Sequence, residues 1–328
     1  MSLESRLTAS LHRRILRVKL AVKASDLVTC SGVQTDMKAV DRALRFVPII
    51  AALVLQGCAS APVPTEWTIP VGPASDNHTL DDCIRNSACS KKLSVGHRGT
   101  ITWAPENTKA ALDAALLMGA DAVEMDVRST RDGILILMHD ATLDRTTNCR
   151  GQVAEKTWGE IKDCKVRPIL PGIQSDKIPT FRDALAWLKG KTVIDVDVKN
   201  PILIGKVATE VRAANMQHQV MVLTETLEAA KILADNGIAV LALAKNANAV
   251  SAALALSPKP VAVEVDIQLL PLVQKQVHQA GSRVFVDALG GCDLVGAPCY
   301  QRLVRFGADL IQTDRLPELV PFLEKVNH

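Results

Sequence analysis

Short apolar runs rich in β-branched residues alternate with Ala- and Leu-rich stretches along most of this chain, and this alternation limits the possible folds most strongly. Buried parallel strands are short, nearly continuous apolar runs, whereas helices that cover them are longer and apolar on one face. The runs typical of strands are Leu93–His97, Ala122–Arg128, Thr192–Val198, Val220–Thr224, Ala239–Ala244, Val261–Asp266, Arg283–Leu289 and Asp309–Thr313. Eight strand–helix units in roughly 235 residues predict a (β/α)₈ TIM barrel over residues 93–328.

The stretches between these runs are predicted to be the helices of the barrel. Those with clear helical character are Asn107–Met118, Ile204–Ala214, Leu227–Asn236, Ala247–Leu256 and Pro271–Ala280. A doubly wound open sheet is the alternative architecture, but it usually has fewer strands and a glycine-rich first turn, which this sequence lacks.

One interval interrupts the alternation after the second strand. Ile134–Met138 has the pattern of an extra strand, and residues 141–177 contain Pro, Gly and two cysteines without a clear strand–helix unit. Long loops within a compact domain are usually functional. We expect an insertion over the mouth of the barrel, closed by a disulfide bond.

Charge is distributed unevenly along the chain. Residues 1–57 contain nine Lys or Arg and four Asp or Glu, so the formal net charge of +3 comes from this segment. The rest of the chain is slightly acidic, and a nucleic-acid-binding domain normally carries a basic surface. Nucleic acid is therefore not an expected partner.

The N-terminal segment has the pattern of a targeting signal. Arg42 and Arg45 precede the apolar run 46–55, which is too short to span a bilayer comfortably. The next residues, Leu55-Gln56-Gly57-Cys58, resemble the bacterial lipobox, which implies that Cys58 is acylated after signal cleavage. An ordinary signal peptide with an incidental cysteine is the alternative.

These features divide the N-terminal part into two segments. Residues 1–58 are predicted to be an extension with a lipoprotein-type signal peptide, for which Met37 is a more typical start. Residues 59–92 are predicted to be a tether and N-terminal segment, rich at first in Pro, Ser and Gly. Because Ala59 follows the anchor, we expect an outer-membrane lipoprotein on the periplasmic side of the bacterial cell envelope. Secretion to the periplasm is the alternative.

Cysteine spacing agrees with an oxidising compartment. Six of the eight cysteines fall into close pairs: Cys83 and Cys89, Cys149 and Cys164, and Cys292 and Cys299. An even set with short intervals is typical of disulfide bonds, and we expect local pairing. Zinc is the alternative, although no pair has the two-residue spacing of a zinc knuckle.

Polar side chains collect at the C-terminal ends of the predicted strands. They are His97, Arg98, Glu124, Asp126, His139, Asp197, Lys199, Glu264, Asp266 and Asp314. This end of a TIM barrel is the face that carries active sites. The placement is the strongest argument within the sequence for catalysis.

These residue types favour metal-assisted chemistry on a phosphate ester. Glu124 and Asp126 are two residues apart on a strand, so their carboxylates share a face and repel each other unless a cation lies between them. His97 and His139 can transfer protons near neutral pH. Arg98 offers a fixed fork of donors suited to phosphate.

Other polar residues have simpler structural interpretations. Asn107 is a suitable helix N-cap, and Asp132-Gly133 is typical of a turn. Asp195 shares a strand face with Asp197, so one of the two could be a structural partner of Lys199. No role is assigned to His78, His218 and His278, which are predicted to lie in the tether or in helices without acidic neighbours.

Several motifs together resemble the glycerophosphodiester phosphodiesterase family. They are Gly96-His97-Arg98-Gly99, Pro105-Glu106-Asn107-Thr108, Glu124-Met125-Asp126, Asp132-Gly133, His139-Asp140, Leu143-Asp144-Arg145-Thr146-Thr147, Ile178-Pro179-Thr180, Gly307-Ala308-Asp309 and Gln312-Thr313-Asp314. The resemblance implies a barrel that binds one divalent cation, Ca²⁺ or Mg²⁺, and hydrolyses glycerophosphodiesters to sn-glycerol 3-phosphate and an alcohol.

The resemblance also implies roles for individual residues. By position, His97 and His139 match the acid/base pair, and Arg98 matches the phosphate contact. Glu124 and Asp126 match two metal ligands.

The chain departs from the family pattern at two places. Asp197-Val198-Lys199 stands where the family usually has Glu-x-Lys, which implies a third metal ligand that is one methylene shorter and a phosphate-binding lysine. Phe285-Val286-Asp287 stands in place of a Trp-Thr-Val-Asn-like run, so the preferred alcohol does not transfer from the family.

Two other functions are compatible with the sequence. One is a lysophospholipase D or sphingomyelinase D-like phosphodiesterase, which a membrane tether favours. The other is a non-catalytic envelope lipoprotein that binds phosphodiesters, which the shorter side chain of Asp197 favours. The expected partners are a small-molecule glycerophosphodiester and, through the lipid anchor, a membrane; no oligomeric state is predicted.

Overall fold

Eight parallel strands pair edge to edge and close on themselves in the computed structural model, which describes residues 83–86, 89–169 and 176–328. The parallel strands are β1 (Leu93–Gly96), β2 (Ala122–Ser129), β4 (Val193–Val198), β5 (Val220–Thr224), β6 (Ala239–Leu243), β7 (Ala262–Glu264), β8 (Arg283–Asp287) and β9 (Leu310–Thr313). Strand β1 pairs with both β9 and β2, which completes the barrel. The predicted TIM barrel is confirmed, and the open sheet is excluded.

Helices fill the intervals between the strands. They are α1 (Lys109–Leu117), α2 (Trp158–Ile161), α3 (Phe181–Leu188), α4 (Ile204–Ala213), α5 (Leu227–Asp235), α6 (Ala247–Leu254), α7 (Leu270–Gln279), α8 (Gly291–Val295), α9 (Ala297–Arg305) and α10 (Leu316–Asn327). No helix within the described ranges has both the length and the apolar character needed to cross a membrane.

The strand period of two separates the inside of the barrel from its outer surface. On β2, Val123, Met125 and Val127 are fully buried beneath the surrounding helices. The alternate residues Glu124 and Asp126 must therefore face into the barrel. Apolar side chains fill the lower interior: Leu93, Val95, Ala122, Val193, Met221, Ala239, Leu241, Ala262, Phe285 and Leu310. These apolar side chains fill the N-terminal end of the barrel, and the polar residues lie at its C-terminal end.

The insertion after β2 has a small core of its own. Strand β3 (Leu135–Leu137) runs antiparallel to β2, as the extra-strand prediction requires. The core of the insertion contains Ile136, Met138, Leu143, Val153, Ile161, Cys164, Val166 and Ile178. Arg145 extends from the insertion to Glu106 at the rim of the barrel, with contacts of 2.6 and 2.8 Å. The insertion therefore contributes directly to the rim.

The predicted local pairing of the cysteines is confirmed. The structure contains the disulfides Cys83–Cys89, Cys149–Cys164 and Cys292–Cys299. The anchor prediction at Cys58, the signal segment 1–58 and most of the tether lie outside the described residues.

Two minor expectations about single residues were wrong. Helix α1 is capped by Thr108, whose Oγ1 accepts the Ala111 N–H, because Asn107 has a left-handed backbone and turns its side chain elsewhere. His278 does have an acidic neighbour: its Nε2 lies 2.6 Å from Asp309 Oδ2. That contact joins residues 31 positions apart, and residue spacing alone does not reveal it.

Candidate active site

His97 is held at the end of β1 by two contacts with the last strand. Its backbone N–H donates to the Thr313 carbonyl at 3.2 Å, and its Nδ1 lies 2.7 Å from Asp314 Oδ1. The histidine side chain is only 11% exposed. With the Asp314 carboxylate as acceptor, Nδ1 carries the proton and Nε2 is the nitrogen that can accept one.

The turn after His97 has an unusual backbone. Arg98 and Gly99 have φ values of 51° and 82°, in the left-handed region. A Cβ on Gly99 would lie 2.6 Å from the backbone of Ala111, so only glycine fits there. This turn directs the Arg98 N–H to Glu124 Oε2 at 2.7 Å. Strain of this kind is typical of functional sites.

The Arg98 guanidinium lies between acidic side chains. Its Nη1 donates to Glu106 Oε1 at 2.8 Å, and its Nε lies 3.3 Å from Asp126 Oδ2. Its side chain is 15% exposed, so the cation is positioned at the rim and still reaches solvent.

Glu124, Asp126 and Asp197 form the acidic cluster at the centre of the rim. One carboxylate oxygen from each lies within 4.8 Å of the others. Ca²⁺ and Mg²⁺ bind oxygens at about 2.0–2.6 Å, so oxygens around one ion are at most about 5 Å apart. The spacing and the all-oxygen donor set therefore fit one hard divalent cation. Asp197, although shorter than Glu, is close enough to belong to the cluster.

Lys199 is a second cation, besides Arg98, that contacts this cluster. Its Nζ is 2.6 Å from Asp126 Oδ1 and 2.5 Å from Asp197 Oδ2. Of the two carboxylates considered as its partner, Asp197 makes the contact and Asp195 does not. The lysine offsets part of the repulsion between Asp126 and Asp197.

The two carboxylates of β2 have opposite electrostatic surroundings. Burial, reinforced by the charge of Asp126, raises the pKa of Glu124 well above its ordinary value. Burial also acts to raise the pKa of Asp126, but Lys199 and then Arg98 outweigh it and lower that pKa. Glu124 thus lies in a place where a further positive charge would be strongly favourable.

His139 is reached from β2 through the extra strand. The Met138 N–H donates to the Asp126 carbonyl at 3.0 Å, and Arg128 Nε donates to the His139 carbonyl at 2.8 Å. The second histidine therefore lies beside the end of β2, while its side chain is 36% exposed. Its greater exposure suits a group that acts at the open side of the site.

A chain of ion pairs connects His139 to Arg98. His139 Nδ1 lies 2.8 Å from Asp140 Oδ1, and Arg145 binds Asp140 and Glu106 through paired contacts of 2.6 to 2.8 Å. The hydrogen bond from Arg145 lowers the pKa of Asp140. Residue spacing did not predict this network, although Glu106 and Arg145 both lie in motifs that carry the family resemblance.

Asn107 is a second site residue whose role the sequence did not reveal. Its Nδ2 donates to Asp126 Oδ2 at 2.6 Å, and its Oδ1 accepts the Asp126 N–H at 3.0 Å. The side chain is 3% exposed. Asn107 therefore fixes both the backbone and the carboxylate of one member of the acidic cluster.

Further carboxylates lie in the barrel near the cluster. Burial raises the pKa values of Asp195 and Glu264 well above normal, and neighbouring carboxylates add to both shifts. No group among the described residues hydrogen-bonds to the buried atoms Asp195 Oδ1 and Gln312 Oε1. A cavity of about 470 Å³ has Glu264 and Asp287 in its lining. This volume is within the usual range for a small-molecule site.

Comparison with known proteins decides the family. Residues 97–315 match the family model of the glycerophosphoryl diester phosphodiesterase family. The chain belongs to this family. The matched segment begins at His97 and contains the acidic cluster, Lys199, His139 and Asp314.

Curated relatives in the family match about a third of this chain. The glycerophosphodiester phosphodiesterase of Caldanaerobacter subterraneus subsp. tengcongensis is 37% identical over 117 residues, which cover 35% of this chain and 48% of that protein. Glycerophosphodiester phosphodiesterase 1 of Homo sapiens is 41% identical over 111 residues, 32% of this chain and 33% of that protein. The aligned regions thus span half or less of these two curated relatives.

Solved structures of the family are similar over a longer range. The glycerophosphodiester phosphodiesterase of Agrobacterium tumefaciens has a TM-score of 0.59 and 26% identity, covering 70% of this chain and 99% of that one. An Oleispira antarctica phosphodiesterase in complex with the product sn-glycerol-3-phosphate has a TM-score of 0.61 and 20% identity, covering 71% and 96%. The barrel is therefore the family fold.

Asp287 provides a test of the acidic interior through protein stability. Burial raises its pKa to about 6, with His97 opposing the rise and Asp197 adding to it. A raised carboxyl pKa means that the folded chain binds more protons than the unfolded chain between about pH 4 and 6. Stability is therefore lost as the pH rises through this window. Asp287→Asn should raise the free energy of unfolding at pH 7.5, without divalent cations, by about 1–3 kcal/mol.

The gain should shrink strongly near pH 4, where Asp287 is protonated in the folded chain and about half protonated in the unfolded chain. Asn can still accept the hydrogen bond that Gln312 Nε2 donates to Asp287 Oδ1. Denaturant unfolding at both pH values measures the difference, and Asp266→Asn, at an exposed position of the same cavity, is the matched control. An equal gain at both pH values, or a loss at pH 7.5, would contradict the account.

Proposed function

We propose that this chain hydrolyses glycerophosphodiesters to sn-glycerol 3-phosphate and an alcohol by metal-dependent acid/base catalysis. The observation that carries the proposal is the rim itself. His97 follows β1 and His139 follows β3, and both strands pair with β2, which carries two members of an acidic cluster that also contacts Arg98 and Lys199. The product bound to the similar Oleispira antarctica phosphodiesterase supports the same products here.

Glu124, Asp126 and Asp197 would hold one cation, Ca²⁺ or Mg²⁺. When bound, such an ion supplies positive charge that stabilises the phosphoryl oxygens as negative charge builds on them. Arg98 and Lys199 add donors for the same oxygens, because both cations already lie at the edge of the cluster. Asn107 keeps the Asp126 carboxylate in a single orientation, which reduces reorganisation when ligands bind.

The two histidines divide the proton transfers between them. His97, whose Nδ1 is engaged by Asp314, takes a proton through Nε2 from the attacking oxygen of water or of the substrate glycerol. His139, which is more exposed, gives a proton to the leaving alcohol. The cavity beside Asp287 offers room for that alcohol. Each acid or base contribution is typically about 10²–10⁴-fold.

The direct test is release of sn-glycerol 3-phosphate from glycerophosphocholine by the full chain. We expect turnover with Ca²⁺ or Mg²⁺, loss with a chelator and recovery when the ion is restored. His139→Ala should lower kcat by about 10²–10⁴-fold, because the leaving alcohol loses its proton donor. It should leave cation binding intact, as measured by the rise in Tm on cation addition.

His218→Ala is the matched control, since His218 is exposed and precedes β5 at the opposite end of the barrel. Near wild-type kcat in His139→Ala would remove His139 from the mechanism. Cation binding without turnover of any glycerophosphodiester would favour the non-catalytic alternative. Preferential turnover of lysophospholipids would favour the lipid-directed one.

We also propose that Cys58 carries a lipid that anchors the chain at the periplasmic side of the bacterial envelope. The three disulfides support an oxidising compartment, because such bonds rarely persist in the cytosol. In a bacterial host with lipoprotein processing, the chain should incorporate labelled palmitate and fractionate with membranes. Cys58→Ser should abolish labelling, whereas Cys30→Ser should not. Unchanged labelling of Cys58→Ser would contradict this assignment.

A further inference from the structure

Asp293 is a buried carboxylate outside the proposed reaction centre. It lies on the short helix α8 and is 4% exposed. Left-handed glycines flank this helix, Gly290 and Gly296, and the disulfide Cys292–Cys299 joins it to α9. The disulfide thus constrains the segment from α8 to α9, and the Asp293 side chain is buried in the protein.

Both carboxylate oxygens of Asp293 are occupied by donors from the end of β9 and from α9. Oδ2 accepts the backbone N–H of Asp314 at 2.8 Å. Oδ1 accepts the Thr313 hydroxyl at 2.5 Å and the phenol of Tyr300 at 2.8 Å. Thr313 and Tyr300 are fully buried, so these bonds are shielded from water.

Two of these donor residues, Thr313 at the end of β9 and Asp314 directly after it, also hold His97. Thr313 supplies the carbonyl that accepts the His97 N–H, and Asp314 supplies the carboxylate beside Nδ1. Asp293 therefore fixes the two residues through which His97 is oriented. Arg315 also contacts both Asp293 and Thr313. Its Nη1 donates to the Asp293 carbonyl at 3.0 Å, and its backbone N–H donates to Thr313 Oγ1 at 2.9 Å.

We infer that Asp293 is a positioning residue for His97, acting through Asp314. The inference rests on the role of His97 under the proposed function. Removing the Asp293 carboxylate leaves the Asp314 N–H without its acceptor, and of the Thr313 and Tyr300 hydroxyls, 3.2 Å apart, only one can donate to the other, so the turn at Asp314 must relax. Asp293, Thr313 and Tyr300 do not line the cavity of about 470 Å³, so we expect no direct effect of Asp293 on substrate affinity.

The experiment is Asp293→Ala in the full chain, assayed with glycerophosphocholine and a divalent cation. A displacement of about 1 Å in a catalytic group can cost about 10²-fold, so we expect kcat to fall about 10- to 100-fold. KM should stay within about twofold, since the substrate contacts are unchanged. Asp293→Asn should recover most of kcat, because its Oδ1 can accept the Asp314 N–H while its amide donates to the two hydroxyls.

A double-substitution cycle separates positioning from general destabilisation. Asp314→Asn removes the group through which Asp293 is inferred to act, so Asp293→Ala should cost little further kcat in that background. Leu294→Ala, at an 81% exposed position on the same helix, is the matched control and should leave kcat unchanged. Equal losses from Asp293→Ala in both backgrounds, or wild-type kcat in folded Asp293→Ala, would overturn the inference.

A second readout does not depend on activity. The His97 Nδ1–H bonded to Asp314 should give a downfield proton resonance, identified by its loss in His97→Gln, and it should vanish or move upfield in Asp293→Ala. An unchanged resonance would overturn the inference even if the wild-type chain proved inactive. If Asp293→Ala does not fold, Tyr300→Phe should weaken the same resonance, and an unaltered resonance would have the same meaning.

Discussion

Electrostatic repulsion between carboxylates in a confined, partly buried space is the constraint on which the rest of this site depends. The carboxylates of Glu124 and Asp126 lie on the same strand, β2, and repel each other. The carboxylate of Asp197, on the neighbouring strand β4, completes the cluster. Such groups stay charged only where cations lie close to them. The positive charges of Lys199 and Arg98, which both contact Asp126, offset part of this repulsion. Burial and the charge of Asp126 raise the pKa of Glu124, so a further positive charge beside it would be favourable.

The barrel creates this confinement through strand register. Asp126 pairs with Asp197 across β2 and β4, so equal positions on neighbouring strands bring two inward carboxylates together. Apolar side chains such as Phe285 fill the interior below and keep water from entering from the opposite end. Loops then add the groups that must be oriented: the left-handed turn at Arg98 and the insertion with Arg145, which both bind Glu106.

Local patterns in the sequence predicted the barrel and the residues at its rim, because strand periodicity and strand-end position depend on neighbouring residues alone. Those local patterns do not predict which distant segments contact each other. Asn107 looks like a helix cap in isolation, and only the closed barrel brings it to Asp126. Asp314 was placed at the rim without a function, and its contact with His97 joins residues 217 positions apart. No local pattern in the sequence singles out Asp293, because its inferred role depends on its contacts with the distant residues Thr313 and Asp314.

We propose that the acidic cluster holds one divalent cation, around which the histidines, Arg98 and Lys199 are arranged. Anomalous diffraction from crystals soaked in Mn²⁺, an ion of similar oxygen preference, tests it most directly. We predict one strong peak within coordination distance of oxygens from Glu124, Asp126 and Asp197, lost in Asp126→Asn. A peak elsewhere, or no peak from crystals of a chain that is active with Mn²⁺, would contradict it.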